Sequence, residues 1–382
     1  MIRNLKLFIL HPQSISVGLG FFTISMLFGS WATRLPEVQS KLGLSGTQLG
    51  LSLLTLSFGS LVISPFSSWI TEKMSIGRAT FWSSILLALS FLLPFLANSF
   101  TEFLCALFIV GLANGFITVT VNAAAAAVEK SYFRSIMSNC HGMFSFGGII
   151  GAASAGIFAG LGFSPFEHIT IVAIALILIN FYVRTNLYQI PTEITKTPIF
   201  TLPTQPIFGL VIITFCIVLA EMTIMDWSGV YIKNSLGGNA FVTGLGFAGF
   251  SFTMAIGRFY GDQITANFGK KKIVQFGSII GMLGLIIAAI IPSTSIAIFS
   301  FTLVGVGFSC IMPIIFSAAT KVEGVAPGAG IAAIATAAIL GGLIGRPAVG
   351  MIADSFGLGT SLIFAGILAL VGSIVASRTN WS

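Results

Sequence analysis

Charge is scarce in this chain. Only 8% of its 382 residues are Asp, Glu, Lys or Arg, against roughly a quarter in ordinary soluble domains. A water-soluble enzyme or nucleic-acid binder of this length needs a charged surface, and there is too little material here for one. Cysteine is scarce as well. Cys105, Cys140, Cys216 and Cys310 lie in or at the ends of apolar segments without metal-ligand spacing, so they read as small buried residues, and neither a disulfide nor a metal site is expected. No phosphate loop occurs, no nucleophile stands beside a base, and no soluble segment is large enough for ATP chemistry. Enzymatic activity and a cofactor are therefore not expected, and any work must draw on a gradient.

What the chain has instead is hydrophobicity: 55% of its residues are apolar or aromatic, spread from end to end. A single anchor needs only about 20 apolar residues, so many spans follow. The charged and Pro/Gly-rich breaks divide the chain into twelve, near 13–36, 46–70, 79–98, 102–127, 139–163, 167–184, 207–231, 241–263, 273–292, 295–319, 328–353 and 359–377. The runs are continuously apolar, which predicts helices, because membrane β-strands alternate and are about ten residues long. The expected fold is an all-α membrane protein.

Lys and Arg collect in loops that stay cytoplasmic. With the N-terminus inside, the inner loops and tails hold Arg3, Lys6, Lys73, Arg78, Lys130, Arg134, Arg184, Lys196, Lys270, Lys271, Lys272, Lys321 and Arg378, and the outer loops only Arg34, Lys41 and Lys233. This predicts a multi-pass protein of a bacterial inner (cytoplasmic) membrane with both termini in the cytoplasm. It also accounts for the net charge of +7 without nucleic acid. The KKK run at 270–272 reads as a topology signal in contact with anionic lipid. The opening MIRNLKLFILHPQ lacks a small-residue cleavage site and is read as a cytoplasmic amphipathic lead-in.

The only long polar break, VRTNLYQIPTEITKTPIFTLPTQP, spans residues 183–206 and separates six spans from six. The expected domains are a six-helix bundle over 1–184, a cytoplasmic linker over 185–206 and a second six-helix bundle over 207–382. An offset of 194 aligns the halves in three places. Gly50-Leu51 meets Gly244-Leu245, and Ser57-Phe58 meets Ser251-Phe252. Gly111 meets Gly305, and Val128-Glu129 meets Val322-Glu323. Gly147, Gly148, Ile150, Gly151 and Gly156 meet Gly341, Gly342, Ile344, Gly345 and Gly350. One offset holding over so long a stretch indicates a duplicated unit, and a parallel one, since six spans return the chain to its starting side. Repeats of this kind place a solute site near the bilayer midplane and move by rocking. The glycines of FGGIIGAASAGIFAG and LGGLIGRPAVG suit the close helix packing this requires.

With these features the whole chain resembles a major facilitator superfamily transporter. The segment GRFYGDQITANFGKKK (257–272), read as loop-forming, is similar to that superfamily's Gly/Asp/basic signature, and SSWITEKMSIGR (67–78) looks like its degraded first-half copy. The resemblance implies a cytoplasmic latch, and so a gating role for Arg258 and Asp262, although Ala266 stands where the signature has a further acid. GSWATRLPEVQSKLGLS (29–45), VNAAAAAVEKSYFRSIMSNCHGMFSFGG (121–148) and AEMTIMDWSGVYI (220–232) resemble the MosC-like, fucose-permease-like branch. Alternating access and cavity-lining fourth and seventh helices are what this resemblance implies.

An ionised side chain deep in a bilayer costs about 2.5 to 3.5 kcal/mol on insertion scales, so intramembrane acids mark cavities or partners. Glu221 is the deepest, roughly 20 Å into the seventh span by rise per residue. Desolvation disfavours its ionised form, which suits it to taking up and releasing a proton; permanent pairing or a hydrogen bond to solute is the other reading. Asp226 is rotated from it by about 140°, and Arg346 is expected to pair with Asp226 or with Glu221 and to be released when solute or proton binds, while Ser228 lies nearly on the Glu221 face. Asn114 and Asn122, which both donate and accept, suit a polyol or amine solute. His141 is a candidate proton relay. Trp31 and Trp227 are either belt residues or, with Tyr231, a stacking wall over a sugar-like ring. Arg34 could form an outer gate, and Glu129 and Arg134 are gate or anchoring charges. His11 and His168 lie at span edges.

These residues point to a proton-coupled carrier of a sugar, polyol or amino derivative, with Na+ coupling left open, working as a monomer in the lipid bilayer. An efflux carrier for amphipathic drugs or metabolites is the alternative, and a non-cycling membrane receptor or scaffold a remote one.

Overall fold

A computed structural model describes residues 7–132, 136–191, 207–325, 327–379 and 381, and every regular element among them is helical. In chain order the long helices are α1 (Pro12–Leu42), α2 (Gly46–Met74), α3 (Ile76–Ser90, followed by a turn at Leu93–Leu96), α4 (Phe100–Tyr132), α5 (Met137–Gly160) and α6 (Pro165–Tyr188). The second series is α7 (Phe208–Val230, extended by a π-helical turn at Tyr231–Ser235), α8 (Ala240–Phe268), α9 (Lys270–Ile290), α10 (Thr294–Phe308, continued by Ile311–Ala319), α11 (Pro327–Phe356) and α12 (Leu358–Arg378). Eleven helical stretches among the described residues are long and apolar enough to cross a membrane, and α8 is a further helix of 29 residues.

The helices overrun the spans read from hydropathy. α1 continues through a buried Pro36 to Leu42, although a proline removes one backbone bond from the ladder. The signature segment 257–272 is not a loop: α8 stays helical through Phe268, and α9 starts at Lys270. The whole turn is Gly269, at φ 82° and ψ 149°. Ser75 joins α2 to α3 in the same conformation, φ 73° and ψ 149°, and it lies 194 residues earlier. The repeat is thus present in the backbone as well as in the residue pattern.

The chain forms two compact units, one of Met1–Leu42 with Thr55–Thr195 and one of Gly43–Leu54 with Lys196–Ser382. In the first, α1 packs on α5 and α6, and α3 on α4 and α6. The α1–α5 contact is backbone to backbone: a Cβ at Gly147 or Gly151 would run into the carbonyls of Phe22 or Met26. In the second, α7 packs on α11 and α12, and α9 and α8 on α10. There the matching glycines, Gly341 and Gly345, face Phe215 and Leu219. Gly111 of α4 lies on the Leu56 carbonyl and Gly305 of α10 on that of Phe250, a contact copied at an offset of 194 on both sides. Helices approach this closely only where side chains are absent.

Residues 43–54 group with the second unit and not with the first six helices, which departs from the division expected at 184. The start of α2 lies on α11: a Cβ at Gly50 would meet the Arg346 carbonyl at 2.5 Å, and one at Gly46 the Gly350 carbonyl at 2.8 Å.

Candidate functional site

Five residues at 100° per residue set Glu221 and Asp226 on different sides of α7, and the two acids accordingly engage different helices. Arg346 of α11 donates through Nε to Asp226 Oδ2 at 2.7 Å and through Nη2 to Asp226 Oδ1 at 3.4 Å. The same Nη2 lies 3.8 Å from Met222 Sδ. Both partners are buried, Asp226 at 6% exposure and Arg346 at 8%. A two-point guanidinium–carboxylate contact satisfies charge and hydrogen bonding together, which is what allows both ions to lie away from water.

Glu221, also buried, is held differently. Its nearest cation is Arg258 of α8, with Nη2 3.7 Å from Oε1, too long for a hydrogen bond. Arg258 also lines a small open pocket of about 90 Å3 with Gly261, Thr265, Lys270, Cys310, Pro313, Ile314 and Ser317. The other acids of the described residues set this in relief. Glu102 accepts from the Asn98 amide at 2.9 Å, Glu129 from the Ile136 and Met137 amides at 2.6 and 2.8 Å, and Glu167 from the Ser164 amide at 2.8 Å. Asp354 accepts from the Gly46 and Thr47 amides at 2.5 and 2.7 Å, and Glu37 from Arg34 at 2.7 Å. Glu72 and Glu323 are exposed. Among the described residues only Glu221 is a buried carboxylate with no hydrogen bond.

Several sequence expectations change at this point. Arg258, expected in a latch loop, sits inside α8 and faces Glu221. The side chain of Asp262, on the same helix, and the whole of Arg134 lie outside the described residues. Tyr231 is not a wall over a ring site: its hydroxyl donates to the Ala288 carbonyl at 2.7 Å, and its ring packs on Phe301 in the core. Trp31 is likewise packed among Phe91, Phe95 and Phe103. Trp227 and Ser228 are fully buried, and neither the indole Nε1 nor the Ser228 hydroxyl has a partner among the described residues.

In the first unit, Asn114 donates to Ser60 Oγ at 3.3 Å and Asn122 to the Thr118 carbonyl of its own helix at 2.8 Å. His141 is exposed, edge-on to Phe21. Arg34 donates to Glu37 and to the Phe163 carbonyl; these contacts anchor the α5–α6 turn rather than leave the guanidinium free for a gate. Glu129 caps the start of α5 and so serves as an anchor. His168 lies at the edge of its span, in the first turn of α6, yet is fully buried, with Nε2 3.2 Å from Ser154 Oγ. Periodicity could not reveal this, because a helix start is buried or exposed according to what covers it.

The described residues form two series of six long helices related by an offset of 194, and comparison with known proteins places this architecture. The model of the Major Facilitator Superfamily matches residues 15–322 and 210–379. The chain belongs to this superfamily. Superfamily members of bacteria resemble it over nearly their whole length. An uncharacterized MFS-type transporter of Yersinia pestis is 32% identical over 365 residues, covering 96% of this chain and 94% of that one. The membrane protein MosC of Rhizobium meliloti is 27% identical over 361 residues, covering 94% and 88%. Among solved structures, the fucose:proton symporter FucP of E. coli superposes with a TM-score of 0.62 at 18% identity over 98% of this chain and 99% of its own, which speaks for the fold alone. The chain is therefore a multi-pass membrane transporter and not an enzyme.

Proposed function

We propose that this superfamily member is a secondary active transporter of a small polar organic solute, a sugar, polyol or amino derivative, coupled to protons through Glu221. The observation that carries the reading is the contrast on α7. Asp226 is locked by a short two-point contact, whereas Glu221 is buried without a hydrogen bond and has only Arg258 at 3.7 Å. In this reading Glu221 exchanges its approach to Arg258 for a proton during the cycle. A pocket lined in part by Thr265, Lys270 and Ser317 lies beside the same arginine. Asp226–Arg346 is the switchable charge pair, and His141, exposed at the start of α5, is a relay candidate. Trp227 and Ser228 supply buried donors that await a partner, and Asn114 and Asn122 supply amides suited to hydroxyl or amine groups. Both termini face the cytoplasm of a bacterial inner membrane, as the basic residues direct.

The test is uptake of a solute panel into proteoliposomes under an imposed pH gradient, comparing wild type with Glu221→Gln. We expect gradient-driven uptake in the wild type. In the variant, gradient dependence should be lost while solute exchange is retained. Undiminished gradient dependence in the variant would remove Glu221 from the coupling role.

A further inference from the structure

Two cations, Arg258 and Lys270, share the pocket between α8, the start of α9 and the continuation of α10. Neither is needed to build the turn beside it. The first half of the chain makes the same turn at Ser75, 194 residues before Gly269, with φ 73° and ψ 149° against 82° and 149°. At that offset Arg258 meets Ser64, Lys270 meets Ile76, Cys310 meets Phe116 and Ser317 meets Ala123. The copied backbone therefore stands without either positive charge. Membrane orientation does not call for Lys270 in the pocket, because Lys271 and Lys272 carry the same signal from exposed positions outside it.

The charged donors in the pocket are uncommitted. Lys270 makes no hydrogen bond or ion pair among the described residues. The nearest acid to Arg258 is Glu221 at 3.7 Å, beyond hydrogen-bond reach, so its N–H groups have no acceptor among the described residues. The exposed Ser317 hydroxyl has none either. Thr265 and Cys310, by contrast, are spent on the backbone: they donate to the Gly261 carbonyl at 2.6 Å and the Gly257 carbonyl at 3.3 Å. No acid lines the pocket among the described residues.

Helix α9 adds a second imbalance. Gly269 gives it no side-chain cap, which leaves its first amides open, and lysines fill its first three positions, where positive charge opposes the helix dipole. An anion beside Lys270 offsets both.

We propose that this pocket binds a phosphate group through Arg258, Lys270 and the Ser317 hydroxyl. Cations on two different helices suit a tetrahedral anion, whose oxygens point several ways, and a guanidinium and an ammonium are the side chains that hold phosphate best. A phospholipid headgroup and a soluble phosphate ester share this chemistry. Arg258 is also the cation that approaches Glu221, so an occupied pocket competes with that carboxylate for it. The binding itself does not rest on the transport reading.

The test uses the full chain, delipidated in a maltoside detergent, and reads the thermal unfolding midpoint, which a specific ligand raises. One arm compares inorganic phosphate with chloride at equal ionic strength. The other compares phosphatidylglycerol with phosphatidylcholine, whose choline masks the phosphate charge. A saturable rise is expected in at least one arm: with phosphatidylglycerol alone it assigns a headgroup, and with inorganic phosphate a soluble ester. Lys270→Gln should weaken the response about tenfold, the worth of one charge-assisted hydrogen bond. Lys271→Gln, which removes the same charge outside the pocket, should leave it intact. Ser317→Glu, which adds an acid and spares both cations, should abolish it. No rise in either arm, a rise matched by chloride and phosphatidylcholine, or equal losses in Lys270→Gln and Lys271→Gln overturns the site.

Discussion

At Arg346 the side chain joins two helices, and the backbone carbonyl lies against a third at Gly50. Removing the side chain leaves Asp226 as a lone buried charge, and losing one partner of such a pair is expected to cost about 3 to 5 kcal/mol. Arg346→Met should therefore lower the thermal unfolding temperature in detergent markedly, and Asp226→Asn should do so to a smaller degree because the amide keeps one acceptor. The swap of Asp226→Arg with Arg346→Asp should recover part of the stability lost by either single charge change; no recovery would mean that the pair is held by its surroundings and not by mutual attraction. The sequence brought Arg346 forward as the basic residue inside the eleventh span, with Asp226 or Glu221 as its partner, and the structure selects Asp226. The Glu221–Arg258 approach was not legible, because a run rich in glycine and charge, such as GRFYGD, carries the same composition whether it forms a loop or the inner turns of a long helix.

At the scale of elements, single residues join long helices at Ser75, Gly269 and Gly357, all with positive φ. Glycine adopts this conformation freely, whereas a side chain there costs of order 1 to 3 kcal/mol. Ser75→Gly is thus expected to stabilise the protein by about 1 kcal/mol, read as a higher midpoint in thermal or denaturant unfolding. Close helix packing makes the opposite prediction elsewhere. Gly111→Val and Gly305→Val each drive a side chain into a backbone carbonyl, so each should cost about 1 to 3 kcal/mol, by similar amounts because the contacts are copies. Gly160→Ala, with nothing within 4 Å of the added Cβ, should be neutral or stabilise by up to about 1 kcal/mol. A uniform cost at all three glycines would deny that packing distinguishes them.

For the whole molecule, the proposed orientation, drawn from the distribution of Lys and Arg, puts both ends of the chain on the cytoplasmic side. A green fluorescent protein fused after Ser382 should fluoresce in cells, and alkaline phosphatase fused there should be inactive. Phosphatase inserted at Gly162 or Gly237, in the turns at the opposite ends of the helices, should be active. The reverse pattern at any of these points would invert the orientation.

The sequence by itself determined that the chain is helical, that it crosses the membrane many times and that its halves are copies. Those properties depend on local composition and on spacing, which survive without knowledge of distant contacts. It also marked Glu221 and Asp226, because an acid among apolar residues is conspicuous wherever it stands. Only the tertiary structure decided which partner each acid has, that Tyr231 and Trp31 serve the core, and that Asp354 caps a helix some 300 positions earlier. Burial and hydrogen bonding at those residues are set by neighbours remote in the chain, and no local pattern records which neighbours arrive.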